Sequence, residues 1–460
     1  MTSNPSTEQL HTWDSQHYWH AFTQMQEYEP FILERGEGVY IYDIHGRRYL
    51  DACSSLWCNI HGHQHPTIDA AIKRQLGKVA HVTSLGVSNP TTITLAKKLV
   101  DLTPSELDCV FFSSDGSSAV EVGLKLAFQY WRQRRDAPSD RRDLYLAVGN
   151  AYHGDTLGSV SVGGVSRFHA MFSPLLFDVI HGPCPDTFRV PPEFDLDADD
   201  PDSLRQLSKY YLDEYRKLFE QFGDRIAAVI VEPLVQCAAG MVVQPAGFLR
   251  GLKELTQEFD SLLIADEIAV GMGRSGTLWA CEQESVAPDI LCAGKGLSGG
   301  YLPMAATLTT REIWDAFLGE YSESRSFFHG HTFGGNPLCA AAALATFEVF
   351  EQEKTLENAQ RQSAILKRLL DPLLDYPHVG DVRVQGMMAA IELVQDPHTK
   401  AGFPWSAKKG YELCDLALER GVWLRPIGNV VIVMPPLCSQ ESHMREIVQA
   451  LEYALRRMWS

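Results

Sequence analysis

The sequence has 460 residues, of which 45% are apolar and 21% charged, and its formal net charge is −18. That length accommodates two or three domains, and the apolar content suffices for a substantial core. So negative a surface repels phosphate backbones, which argues against nucleic acid and anionic membranes as partners.

The opening run MTSNPSTEQLHT is polar and lacks the apolar centre of a signal peptide. No stretch reaches the roughly 18 uninterrupted apolar residues of a membrane span. The expectation is a soluble, cytoplasmic protein. Its ten cysteines are dispersed without a Cys-x-x-Cys pair, and most sit in apolar stretches, as Cys292 does. They read as buried, reduced thiols.

Along the chain, short apolar runs alternate with amphipathic stretches, the pattern of a mostly parallel sheet covered by helices. Strands are predicted at 109–112, 144–148, 227–231, 262–265 and 290–293. A helix should follow the first, because Val120, Leu124, Ala127 and Trp131 share one face. A second helix, over 248–259, bridges the third and fourth strands as a βαβ unit. The acidic, proline-containing stretch 191–202 reads as a surface loop. From about Thr346 the pattern becomes a long helix, short strands and a final helix ending near Arg457. The expected organisation is a large domain over 66–345 and a smaller one over 346–460, joined by the N-terminal segment 1–65. No internal repeat is visible.

Two residues close successive βα steps. One apolar run ends in Asp266-Glu267, and the next ends in Gly294-Lys295-Gly296. In an open parallel sheet ligands gather at the carboxyl ends of strands, so an acid and an amine there can meet around one small molecule. Desolvation lowers an amine's pKa and frees it to attack a carbonyl. A carboxylate opposite it suits a protonated ring nitrogen. The plainer alternative is a loop-capping Asp266 and a solvated Lys295. A phosphate anchor is also on offer, since Ser113-Ser114-Asp115-Gly116-Ser117 opens the helix that carries Val120. Backbone amides at a helix N-terminus bind phosphate without cationic side chains, although an ordinary serine-rich cap reads the same way.

Three other patterns carry rival readings. Gly271, Gly273 and Gly276 fit a dinucleotide fingerprint, but five residues separate Ala265 from the first glycine and no helix is signalled afterwards. Ser298 between Gly296 and Gly300 fits a nucleophile elbow, but Tyr301-Leu302-Pro303 breaks the helix an elbow needs. His61, His63 and His65 alternate, yet no third ligand for a shared metal is nearby, so no metal is expected.

The motifs Asn150-Ala151-Tyr152-His153-Gly154-Asp155, Asp266-Glu267, Gly294-Lys295-Gly296 and His331-Thr332-Phe333-Gly334-Gly335-Asn336-Pro337 resemble those of the class III aminotransferases. Trp19-His20, Ser54-Ser55-Leu56-Trp57, Ala127-Phe128-Gln129-Tyr130-Trp131 and Trp423-Leu424-Arg425-Pro426 are similar to the branch that aminates 8-amino-7-oxononanoate to 7,8-diaminononanoate in biotin synthesis. The resemblance implies a fold-type I α/β transferase that uses pyridoxal 5'-phosphate and works as a homodimer with shared active sites. It implies that Lys295 holds the cofactor and moves the proton, Asp266 pairs with the ring nitrogen, and Tyr152 stacks on the ring. Gly116 and Ser117 would cradle the phosphate, while Thr332, with His331 beside it, reaches the phosphate of the other subunit. Phe22, Trp57, Gly330 and Arg425 would contact substrate along with Tyr152 and Lys295, Arg425 gripping a carboxylate in two-pronged geometry. Relatives that take the amino group from S-adenosylmethionine carry Tyr at Phe22, a second Trp at Leu56, Pro at His331 and an aromatic hydroxyl at Ile432. Phe22 within Phe-Thr-Gln-Met and His331 within His-Gly-His look more like relatives that use L-lysine, so the resemblance implies either donor, with another ω-amino acid or diamine aminotransferase as the alternative activity.

Overall fold

A computed structural model describes residues 5–136, 138–194 and 200–459. Its centre is a seven-stranded sheet in the spatial order Leu107–Ser113, Ala305–Thr310, Ile290–Ala293, Leu262–Asp266, Ile226–Val231, Leu144–Ala147, Val179–His181. All neighbours pair in parallel except Ala305–Thr310, which runs antiparallel to both of its own. The five predicted strands are present. The antiparallel strand and the edge strand Val179–His181 were not foreseen: the first is half threonine, and the second has only three residues.

The central strands are buried on both faces, as near-continuous apolar runs require. Their side chains divide with a period of two. Ala228, Ile230 and Ile264 pack under the helix Gly116–Gln133, while Val229, Val231, Leu263 and Ala265 pack under Pro201–Phe222 and Phe248–Glu258. Val120, Leu124, Ala127 and Trp131 are all buried on the first of these helices. The expected βαβ unit is there, with a short hairpin of Val235–Gln236 and Val242–Val243 inserted before its helix. The loop expected over 191–202 ends sooner than read: Asp200 accepts from the amides of Asp202 and Ser203, and the helix begins at Pro201, where a missing N–H costs nothing. Residues 195–199 of that stretch lie outside the described residues.

The chain's two ends meet. The antiparallel strands Leu33–Glu37, Tyr40–Asp43 and Arg48–Asp51 form a sheet whose far edge is completed by Val422–Trp423, parallel to Arg48–Asp51. A second sheet joins Val379–Gln385, Met388–Asp396, Val430–Val433 and Arg425–Ile427, packed by the helices Lys409–Glu419 and Glu441–Met458. One buried cluster runs from Leu95 and Leu291 through Phe347 to Leu413 and Leu451, so these parts share a core. All ten cysteines are free thiols, six of them buried. Among the described residues no helix is long and apolar enough to cross a membrane.

Ile264 is fully buried at the middle of the central strand. Ile264→Ala removes buried methyl groups and leaves a cavity, so it should cost roughly 2–5 kcal/mol, read as a fall in the urea midpoint. An unchanged midpoint would mean that the sheet interior repacks freely.

Candidate active site

The carboxyl ends of five parallel strands converge on one cavity of about 440 Å³. Leu107–Ser113 leads to Asp115, Gly116 and Ser117; Leu144–Ala147 to Tyr152, His153, Gly154 and Asp155; Ile226–Val231 to Glu232; Leu262–Asp266 ends on Asp266; and Ile290–Ala293 leads to Lys295. Trp57 closes another side. Asp266 stands in register with Cys292, so Lys295 emerges three residues beyond that partner on the adjoining strand. Its Nζ lies 5.4 Å from the centre of the Trp57 ring.

Asp266 is held rather than loose. Its Oδ2 is 2.7 Å from Nδ1 of the buried His153, and its Oδ1 accepts from the Ile268 amide at 3.1 Å. The other ring nitrogen of His153, Nε2, is buried with no hydrogen-bond partner among the described residues. Glu232 accepts from the amides of Tyr152 at 3.1 Å and Cys237 at 2.9 Å. Burial pushes its carboxyl up to about 7, with His153 opposing and Asp266 adding to the rise. Glu267 takes the amides of Ala280 and Cys281, and burial lifts it likewise to about 7. The Tyr152 hydroxyl donates to Asp155 at 2.7 Å; burial first, and that bond second, raise its pKa. One face of the Tyr152 ring is stacked on His169 at 6.0 Å.

At the start of Gly116–Gln133 the Asp115 carboxylate turns inward to the amide and hydroxyl of Ser118, which leaves the Gly116 and Ser117 amides ahead of the cap. Ser117 Oγ is joined to Thr156 and Ser159. Side chains are barred here: a Cβ at Gly116 would come within 2.8 Å of Ile268, and one at Gly154 within 2.3 Å of Ser117 Oγ. An open amide-lined notch, a buried carboxylate and an amine around one cavity fit the phosphate, ring nitrogen and carbonyl of pyridoxal phosphate.

Trp57 reaches the cavity from an unusual turn. Ser54, Ser55, Leu56 and Trp57 all have positive φ, between 49° and 71°. A left-handed turn of L-residues costs about 1–2 kcal/mol for each residue, so the surroundings must enforce it. Trp57 shares an apolar cluster with Ile432 and Tyr152.

The remaining expected residues lie outside this cavity's walls. Phe22 is exposed and meets Phe168 edge-on at 5.3 Å, and Phe168 in turn meets Tyr152. Arg425 sits exposed on Arg425–Ile427, and its guanidinium has no carboxylate partner among the described residues. Gly330, His331 and Thr332 are exposed, away from the cavity of their own chain. His153 and Glu232 line the site as well, although the sequence alone points to neither. His153 stood inside a quoted motif, but its partner is 113 positions away, and no local signal marks Glu232.

The competing motifs resolve into structure. Gly271, Gly273 and Gly276 lie in a loop after Asp266 that leads into the short helix Ala280–Glu284 rather than opening one directly. Ser298 Oγ donates to the Leu302 carbonyl. His61, His63 and His65 take three separate partners: the Thr346 carbonyl, Asp51 and Glu353. Burial drives His61 down to about 3, so it is neutral there.

The family model for aminotransferase class III matches residues 22–455. An adenosylmethionine-8-amino-7-oxononanoate aminotransferase of Aquifex aeolicus is 46% identical over 452 residues, 98% of this chain and 97% of that protein. The crystal structure of the enzyme of that name from Methanocaldococcus jannaschii has a TM-score of 0.91 at 43% identity, covering 98% of this chain and 99% of that one. An amine transaminase from an uncultivated Pseudomonas species, solved with pyridoxal phosphate bound, has a TM-score of 0.90 at 35% identity, covering 96% and 98%. A sheet that gathers a carboxylate, an amine and an open helix terminus at five strand ends, over a match spanning nearly the whole chain, places this protein in the class III aminotransferase family.

Proposed function

We propose that this aminotransferase carries an amino group to 8-amino-7-oxononanoate, giving 7,8-diaminononanoate for biotin synthesis, with pyridoxal 5'-phosphate as cofactor. The observation that carries the chemistry is the convergence of Asp266, Lys295 and the Gly116–Ser117 amides on one cavity. The substrate assignment rests on relatives of that name at 44–47% identity over 97–98% of the chain.

When bound, pyridoxal phosphate supplies a carbonyl that condenses with amines and a ring that draws electrons from the carbon losing its proton. Lys295 Nζ would hold that carbonyl, and its amine, once released, would take up and return a proton. Asp266 keeps a proton on the ring nitrogen, and His153 at 2.7 Å fixes the carboxylate's direction. Tyr152 covers the ring face, its own far side supported by His169. The Gly116 and Ser117 amides take the phosphate at the positive end of their helix. Trp57 excludes water, and the guanidinium of Arg425, without a carboxylate partner among the described residues, takes the acceptor's carboxylate.

The exposed Gly330, His331 and Thr332 serve the site of a second copy, His331 and Thr332 at its phosphate, so the working unit is a homodimer in the cytoplasm. The chain divides at about residues 65 and 345 into a large cofactor domain and a small domain built from both ends. L-lysine is a competent amino donor beside S-adenosylmethionine. Phe22, Leu56, His331 and Ile432 withdraw two hydroxyls and a large ring from the donor side, and each lost hydrogen bond is worth about 0.5–1.5 kcal/mol.

Borohydride reduction and peptide mapping should find the pyridoxyl group on Lys295; its appearance on another lysine would refute the assignment. Asp266→Asn should fold normally yet lose roughly ten- to hundredfold in kcat from the charged hydrogen bond alone, and wild-type turnover would remove its role. For the donor, each amine is supplied separately to the pyridoxal form and its conversion to pyridoxamine phosphate is followed in a single turnover. Conversion by lysine is expected; conversion by S-adenosylmethionine alone would show that the four departures are tolerated.

A further inference from the structure

The left-handed turn Ser54–Trp57 cannot be held by its own residues. Its internal bonds, from the Trp57 amide to the Cys53 carbonyl at 2.8 Å and from the Cys58 amide to the Ser54 carbonyl at 3.0 Å, close equally well in a right-handed turn. What selects the left hand lies just before it. Asp51, fully buried, ends the strand Arg48–Asp51 and directs its carboxylate forward. Its Oδ1 accepts from the Ser55 amide at 2.8 Å, and its Oδ2 accepts from the Ser55 hydroxyl at 2.8 Å. His63 Nε2 stands 3.0 Å from that same Oδ2 and helps to fix the carboxylate. Both ends are tied to the rest of the fold as well: at the entrance Ser54 Oγ donates to the Met434 carbonyl at 2.6 Å, and beyond the exit Arg274 donates to the Asn59 carbonyl at 2.8 Å.

The same strand end reaches the acceptor side by another route. Asp51 is in register with Trp423, and the Ala52 amide donates to the Trp423 carbonyl at 3.1 Å. Trp423 lies two residues before Arg425. One strand terminus therefore sets both the indole at the cavity and the strand that carries the Arg425 guanidinium.

We propose that Asp51 is a positioning residue for the acceptor: its carboxylate pins the left-handed turn and thereby holds the Trp57 indole against the cavity, in fixed relation to Arg425. It touches neither cofactor nor substrate. The proposal rests on reading the cavity as the acceptor site, and it separates binding from chemistry, because Lys295 and Asp266 are anchored on other strands.

The test uses the holoenzyme. Asp51→Ala should raise the KM for 8-amino-7-oxononanoate at least about tenfold while kcat stays within about threefold. Amide exchange at residues 57–59 should quicken at least about tenfold, with exchange in Leu262–Asp266 unchanged. Asp51→Asn keeps an oxygen for the Ser55 amide and should restore most of the wild-type KM. Ser55→Gly in the Asp51→Ala background should restore part of it, because glycine takes positive φ without penalty. A lowered melting temperature with unmoved KM, or unmoved exchange at the turn, would overturn the proposal, leaving Asp51 as ordinary packing. If the wild-type enzyme refused 8-amino-7-oxononanoate, the substrate reading would fall instead. The exchange experiment needs no substrate and still decides whether Asp51 pins the turn, and the KM comparison moves to whichever acceptor the enzyme takes.

Discussion

The parallel pairing that sets Asp266 opposite Cys292 is the constraint on which the rest depends. Side chains alternate along a strand, so a slip of one residue would turn Asp266 to the other face and carry Lys295 away from it. The register is enforced by burial, with Ile264 and Cys292 facing one helix layer and Leu263 and Ala265 the other. Apolar packing thus fixes the spacing of an acid and an amine that packing alone would never select.

Around this pair, charge is handled by backbone more than by counter-charge. Glu232 and Glu267 are buried carboxyls satisfied by amides. Arg274, almost wholly buried, donates to the carbonyls of Asn59 and Pro435, and burial lowers its pKa to about 10. A carboxyl raised by burial binds a proton more tightly folded than unfolded. Stability from Glu232 and Glu267 is therefore greatest below their ordinary range and declines as pH climbs toward 7. Fixed amides and carbonyls do not reorganise when charge shifts, which suits a site where charge must shift.

The central strands, the helix behind Gly116 and the placement of Lys295 and Asp266 at neighbouring strand ends could be read in advance because each depends on neighbours in sequence: an apolar run, a 3.6-residue period, a residue at a strand end. What escaped depends on distance. Ala305–Thr310 is a strand because Leu107–Ser113 and Ile290–Ala293 flank it, not because of its own composition. The 22-residue helix Pro201–Phe222 buries Leu207, Tyr211, Tyr215 and Phe219 at four-residue spacing, but that stripe is narrow and crowded by charge. His153 finds Asp266 across more than a hundred residues, and the turn at Trp57 takes a hand that nothing in Ser-Ser-Leu-Trp prefers.

The pairing of Arg48–Asp51 with Val422–Trp423 has a consequence for how the molecule is made. A ribosome adds about 5–20 residues per second, so the strand near residue 51 waits on the order of 20–75 s for its partner near 423. Throughout that interval the nascent chain presents an unpaired strand edge, a template for pairing with other chains. Closing so distant a contact also comes late in folding, after the loop entropy of the whole central sheet has been overcome. The N-terminal strands are thus the part of the newborn enzyme most in need of shelter, and a chain cut short before residue 422 would keep that edge open permanently.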